Sequence, residues 1–201
     1  MTLPLNPRLM AAGRRFNVCR LIVMIVAALV GGLKPQVATA SEDGNRQVSV
    51  TEERGVYSVT ATFTVPQSPE TVFTVLTDYA EIPRFTPQMR ASVVRERGDG
   101  RAVVEQEAIA KFLMFSRRIH LVLAITEGPA VITFRDVCGE SFHQYEGVWR
   151  LERIDGHTRI QYTLTAKPSF AVPEFLLSRL LKRDATQMLR GLQAEMVRRG
   201  V

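Results

Sequence analysis

An α+β fold, in which a curved antiparallel sheet of about seven strands wraps around a long C-terminal helix, is predicted by three features of the sequence. Strand-like alternation starts at Val56 in VYSVTATFTV and returns in six segments between Met89 and Lys167, separated by turn signals. A short Pro-led stretch of helical character, SPETVFTVLTDYAEIPRFTP, stands between the first strand and the others. The chain then closes on an apolar stripe at helical spacing from about Pro173 to Arg199.

Residues 1–40 read as a signal peptide. Arg8, Arg14, Arg15, Arg20 and Lys34 stand with no acidic residue around the apolar run LIVMIVAALV, and Ala38-Thr39-Ala40 supplies small residues for cleavage after Ala40. The alternative, an uncleaved inner-membrane anchor, must span with Leu21 to Leu33, which falls short of the roughly 20 apolar residues required. Export, to the periplasm if the source is bacterial, is the expectation; the pair Arg14-Arg15 hints only faintly at a twin-arginine signal. The whole chain has 26 basic and 20 acidic residues. Without the five leader cations the balance is 21 to 20, a net of +1, and the electrostatic case for a nucleic-acid partner disappears. Cys19 leaves with the leader, so the mature chain holds Cys138 alone and forms no intrachain disulfide; such a thiol reads as a small buried hydrophobe.

Residues 41–55 begin polar and are expected to be a flexible N-terminal segment, which places the folded domain at 56–201. Within that domain the first strand ends at Pro66. Ser68 is then placed as an N-cap, with Pro69 at the first helical position and Glu70 in the first turn. Val72, Phe73, Val75 and Leu76 form the apolar face, and Tyr79 to Phe85 adds one further turn before Pro83 and Pro87 stop it. Strands follow at Met89–Arg97, Arg101–Phe112, Arg117–Ile125, Val131–Val137, Phe142–Arg153 and Thr158–Lys167, with Gly98-Asp99-Gly100, Glu127-Gly128-Pro129 and Asp155-Gly156 as turns. Alternation puts Val104, Gln106, Ala108, Ala110 and Phe112 on an inward face, and Glu105, Glu107 and Lys111 outward in solvent. Trp149, Leu151, Tyr162 and Leu164 likewise share one side of their strands. In the last helix Leu177, Leu181, Ala185, Met188, Leu192 and Met196 make the stripe, opposite Arg179, Lys182, Arg183, Arg190 and Arg198.

In this order the chain resembles the START-like helix-grip (SRPBCC) superfamily, in particular its polyketide cyclase/dehydrase and lipid-transport branch, which includes coenzyme-Q-binding START proteins. The residues that carry the resemblance are SPETVFTVLTDYAEIPRFTP, EGVWRLERIDGHTRIQYTLTAKP and VPEFLLSRLLKRDATQMLRGLQ, and it covers Val56 to Gly200. The resemblance implies a hydrophobic cavity between the concave sheet face and the long helix, with the segment near Phe85 bordering its mouth. Asp78 and Tyr79 match the family's Asp-aromatic pair at the helix junction, where capping and packing are the expected roles. The candidates for cavity or entrance are Phe85, Phe112, His120, Phe134, Trp149, Tyr162, Phe170, Leu177 and Leu181. Alternation alone does not distinguish side chains that enclose space from side chains that fill it.

Catalytic signatures are sparse. His120, His143 and His157 have no paired metal-ligand spacing, and there is no Gly-rich phosphate loop or nucleophile elbow. His120 sits on a strand whose facing the pattern leaves open, so it is carried both as a structural residue and as a basic group in the cavity. No catalytic residue, metal or cofactor is assigned. The expected function is binding or transport of a hydrophobic or amphipathic small molecule, such as a lipid, quinone or polyketide-like compound, with transient membrane contact. Two alternatives are a cyclase/dehydrase-type enzyme and a protein-interaction module with a filled core. Oligomeric state is not legible.

Overall fold

The computed structural model describes residues 46–112 and 115–200, and the proposed leader with its cleavage site lies outside them. Eight antiparallel strands form one sheet: β1 (Arg46–Glu53), β2 (Val56–Val65), β3 (Met89–Gly98), β4 (Arg101–Phe112), β5 (Phe115–Glu127), β6 (Val131–Asp136), β7 (Phe142–Ile154) and β8 (His157–Pro168). Two helices, α1 (Pro69–Leu76) and α2 (Ile82–Phe85), with a 3₁₀ turn at Tyr79–Glu81 between them, follow β2, and α3 (Glu174–Arg199) ends the chain. The spatial order is β1-β2-β8-β7-β6-β5-β4-β3. After β2 the chain therefore crosses through α1 and α2 to the far edge, then meanders back strand by strand until β8 pairs with β2.

The expected architecture is observed, with one strand more than the sequence suggested. Arg46–Glu53, read as part of a flexible segment, is the edge strand β1, paired along its length with β2. Val48 and Val50 point into the core, 2% and 3% exposed. The hairpin turns at Arg54 and Gly55, both at positive φ. An arginine is an uncommon first residue for such a turn, and that is why it escaped notice.

Side-chain size is matched across the ladder. On the concave face Tyr57 lies opposite Ala166 and Tyr162 opposite Ala61, so each large ring has a small partner. Phe63 faces Ile160, and both are fully buried. Helix α1 begins as expected, with the Ser68 side chain accepting from Thr71 N–H at 3.3 Å and Pro69 in the first turn. Helix α3 packs against β1, β2, β4, α1 and α2. Its buried residues are Leu177, Leu180, Leu189, Leu192 and Met196, so the stripe is broader than its i, i+4 skeleton. At Gly191 the helix meets α2 backbone to backbone: a Cβ there would stand 1.8 Å from the Phe85 carbonyl oxygen.

Candidate functional site

The concave sheet face and α3 do not close completely on each other. Two apolar lobes lie between them, of about 120 Å³ beside α1 and α2 and about 170 Å³ toward the N-terminal half of α3. Thr86, Met89, Gln106, Tyr145, Tyr162 and Met188 line both, so the lobes meet at this belt. One water needs roughly 10–15 Å³ by this kind of measure, so each lobe is much larger than a packing defect.

Aromatic residues build much of the first lobe. Trp149 and Tyr162 are paired across β7 and β8 with ring centroids 4.3 Å apart, and Phe134 stacks on Tyr162 at 6.4 Å. Phe134 also lies over Gly147, where a Cβ would come within 2.4 Å of its ring. A register shift between Phe142 and Gln144 turns both Phe142 and Tyr145 inward although they are three residues apart, and their rings sit 4.9 Å from each other. Tyr145 was not anticipated; its parity with Gly147 and Trp149 on β7 was the available signal.

The polar groups at the belt are neutral. Burial pushes the Tyr145 phenol up to about 12, and burial followed by the neighbouring Tyr145 pushes Tyr162 well above its ordinary value, so both remain protonated donors at neutral pH. Among the described residues neither hydroxyl has a hydrogen-bond partner. Gln106 is buried and donates to Ser92 Oγ at 3.3 Å. Asp184, on the second lobe, is held above the usual carboxylate range by burial, opposed by Arg183, whose Nε donates to it at 2.9 Å.

Tyr79 lines the first lobe and is tied to charged groups. Tyr79 donates to Glu127 at 2.9 Å, Arg97 pairs with the same carboxylate at 3.2 Å, and its guanidinium lies 5.5 Å from the Tyr79 ring centroid. Burial, then the bond to Glu127, raises the Tyr79 phenol. Tyr79 therefore packs as expected, whereas the Asp78 side chain makes no cap hydrogen bond and instead pairs with Arg199 at 2.8 Å.

Of the nine candidates, Phe134, Trp149 and Tyr162 line the first lobe, and Tyr162, Phe170, Leu177 and Leu181 the second. Phe170 is half-buried, edge-on to Phe142 at 6.3 Å, with the Arg117 guanidinium 3.9 Å from its centroid. Phe85 packs against the core but lines neither lobe. The Phe112 side chain lies outside the described residues. His120 is not in the cavity: Ile119, Leu121, Leu123 and Ile125 take the inward positions of β5, which turns His120 to the outer face. There it meets Glu105 at 3.0 Å and Glu140 at 3.0 Å. Glu105 and Glu107 are accordingly ion-paired, the first also with Arg95 at 2.5 Å and the second with Arg118, where solvation alone was expected. Cys138 is half-buried, not buried, and its thiol donates to Asp136 at 3.2 Å.

Residues 57–197 match the family described as polyketide cyclase/dehydrase and lipid transport. The chain belongs to that family. This polyketide cyclase/dehydrase and lipid-transport domain has the START-like helix-grip fold, shared with solved structures at low identity. A STAR-related lipid transfer protein from Xanthomonas axonopodis is similar at 17% identity, covering 79% of this chain and 97% of its own, with a TM-score of 0.64. The Zhui aromatase/cyclase from Streptomyces sp. R1128 is similar at 20% identity, covering 72% and 95%, with a TM-score of 0.62. Human STARD10 is similar at 11% identity, covering 80% and 73%, with a TM-score of 0.63. No curated protein sequence matches the chain. Family and fold support binding of a hydrophobic ligand or a polyketide cyclase-type function.

Proposed function

We propose that the protein binds and carries an apolar or amphipathic small molecule, of lipid, quinone or polyketide-like type, in the two-lobed cavity. The observation that carries this reading over a catalytic one is the chemistry of the wall. Among the described residues that line the lobes there is no histidine: His120 lies on the outer face, and His143 and His157 are exposed. The wall carboxylate Asp184 is engaged by Arg183, and the two belt tyrosines are too weakly acidic to act as bases near neutrality. Apolar burial would supply affinity at about 25 cal/mol per Å² before ordering costs, and the tyrosine hydroxyls would orient a carbonyl or hydroxyl on the ligand.

The test is native mass spectrometry of the protein purified from its own compartment, followed by organic extraction. A copurifying lipid or quinone supports a carrier. An apo mass together with no uptake of a fluorescent fatty-acid probe supports a filled core. The second reading, a cyclase/dehydrase-type enzyme, draws on the same two hydroxyls acting as proton donors; conversion of a polyketide-like substrate, lost in Tyr162→Phe with binding retained, would establish it in place of the carrier.

We also propose that the domain is exported and released by cleavage after Ala40, with membrane contact only during loading and delivery. N-terminal sequencing of the exported protein should begin at Ser41. Recovery of the intact Met1 to Val201 chain in membranes would mean a retained anchor.

A further inference from the structure

On the outer face of the sheet, away from the cavity, three side chains of metal-ligating type converge. His120 projects from β5, and Cys138 and Glu140 stand on the loop between β6 and β7. His120 Nδ1 is 3.0 Å from Glu140 Oε2 and 4.0 Å from Cys138 Sγ, and the three potential ligand atoms all lie within 4.8 Å of one another. A tetrahedral centre with bonds of about 2.0–2.3 Å sets such atoms roughly 3.3–3.6 Å apart. Both spacings from the imidazole thus lie within about half an ångström of that geometry, and the exposed Glu140 side chain has freedom to close the third.

Two further features make this more than a chance meeting. The far nitrogen of the ring, Nε2, is 3.0 Å from Glu105 Oε1, while the other oxygen of that carboxylate is held by Arg95 at 2.5 Å. A carboxylate on the far nitrogen fixes the ring, selects the tautomer with its proton on Nε2 and leaves the Nδ1 lone pair for a metal. The thiol is placed by a built turn. Asp136 Oδ1 accepts the Val122 N–H at 2.9 Å and the Cys138 N–H at 3.3 Å, and its Oδ2 accepts the Gly139 N–H at 3.0 Å. Ser141 Oγ accepts the His120 N–H at 3.0 Å, tying the same loop to β5.

We propose that His120, Cys138 and Glu140 form a site for a thiophilic divalent cation, Zn²⁺ by donor set, with a water completing the tetrahedron. One thiolate, one imidazole and one carboxylate are ligands that suit zinc and disfavour magnesium or calcium, which take oxygen ligands. Binding exchanges the thiol proton, and any proton on Nδ1, for the ion and releases them to solvent; no redox change takes place. The site is independent of what occupies the cavity.

The reduced protein, titrated with Co²⁺ as a spectroscopic probe and with Zn²⁺ in competition with a chromophoric chelator, tests this. One ion per chain and a thiolate-to-cobalt charge-transfer absorption are expected. Cys138→Ser should abolish that absorption, and it and His120→Gln should each weaken Zn²⁺ binding at least tenfold. Glu107→Gln, at the neighbouring outer-face carboxylate paired with Arg118, should bind as the parent does. In the unaltered chain Zn²⁺ should protect Cys138 from alkylation, a readout that does not depend on any variant folding. Absence of the absorption at saturating Co²⁺, or its persistence in Cys138→Ser, would overturn the site.

Discussion

At Tyr162 packing and hydrogen bonding separate cleanly. The ring is buried against Trp149 and Phe134, while the hydroxyl has no partner among the described residues. Tyr162→Phe keeps the packing and removes only the hydroxyl, so denaturant midpoints should be unchanged or slightly higher. If that hydroxyl orients a ligand carbonyl, affinity should fall by about 2- to 12-fold, the equivalent of roughly 0.5–1.5 kcal/mol for one net hydrogen bond. Isothermal titration beside urea melts reads both, and a marked loss of stability with unchanged affinity would assign Tyr162 to structure alone. The inward aromatics Trp149 and Tyr162 were legible because strand parity is strict. The facing of His120 was not, since Val122 and Ala124 on its own parity are apolar as well and blur the alternation that the burial of Ile119, Leu121, Leu123 and Ile125 reveals. Tyr145 shares the parity of Trp149 and could have been read the same way, whereas the inward turn of Phe142 could not, because a bulge is a backbone event that the residue pattern does not mark.

Among elements, the contact between α2 and α3 is the least forgiving. A methyl group at Gly191 would overlap the Phe85 carbonyl, which is backbone and has no rotamer to give, so Gly191→Ala should cost about 1–3 kcal/mol despite the better helix propensity of alanine. Thermal melts decide it. The segment before α3 behaves differently. Phe170 is half-buried, under the Arg117 guanidinium, so Phe170→Ala should cost less than the roughly 3–5 kcal/mol of a fully buried ring while speeding ligand release severalfold in stopped flow. Unaltered release with a full-sized loss of stability would make Phe170 only a plug. At the other end of α3, hydrogen bonds from Arg198 and then Arg199 lower the Glu195 carboxyl from 4.5 to about 2, and Arg199 continues the chain of charges to Asp78. A carboxyl lowered on folding contributes stability that is complete above its unfolded value and is lost as pH falls toward its folded one. The stability gap between the parent and Glu195→Gln should therefore be constant above about pH 5 and narrow progressively toward pH 2; a gap independent of pH would mean that the ion pairs contribute nothing.

For the whole molecule, the order of elements was readable because seven strands, two short helices and the terminal stripe each announce themselves by periodicity or capping residues. The eighth strand did not, since its hairpin turns on Arg54-Gly55 and half of its residues face solvent next to the polar residues 41–45. Its place in the assembly is nonetheless central. β1 covers the free edge of β2, packs on α3, and lends Arg46 as a donor to Gln193 of that helix. Val48 and Val50 are buried, and each contributes about 1.5–3 kcal/mol by removal from water. Against a total stability of about 5–15 kcal/mol, losing both along with a strand ladder is a large fraction. A chain comprising 56–201, the boundary that alternation suggested, should accordingly show a lower urea midpoint than one comprising 41–201, and should bind a hydrophobic dye at its uncovered β2 edge and α3 flank. Cleavage after Ala40 would leave β1 whole with five residues to spare, whereas cleavage a dozen residues later would remove the edge that closes the grip. Equal midpoints for the two chains would show that β1 is a dispensable cover and not part of the cooperative core.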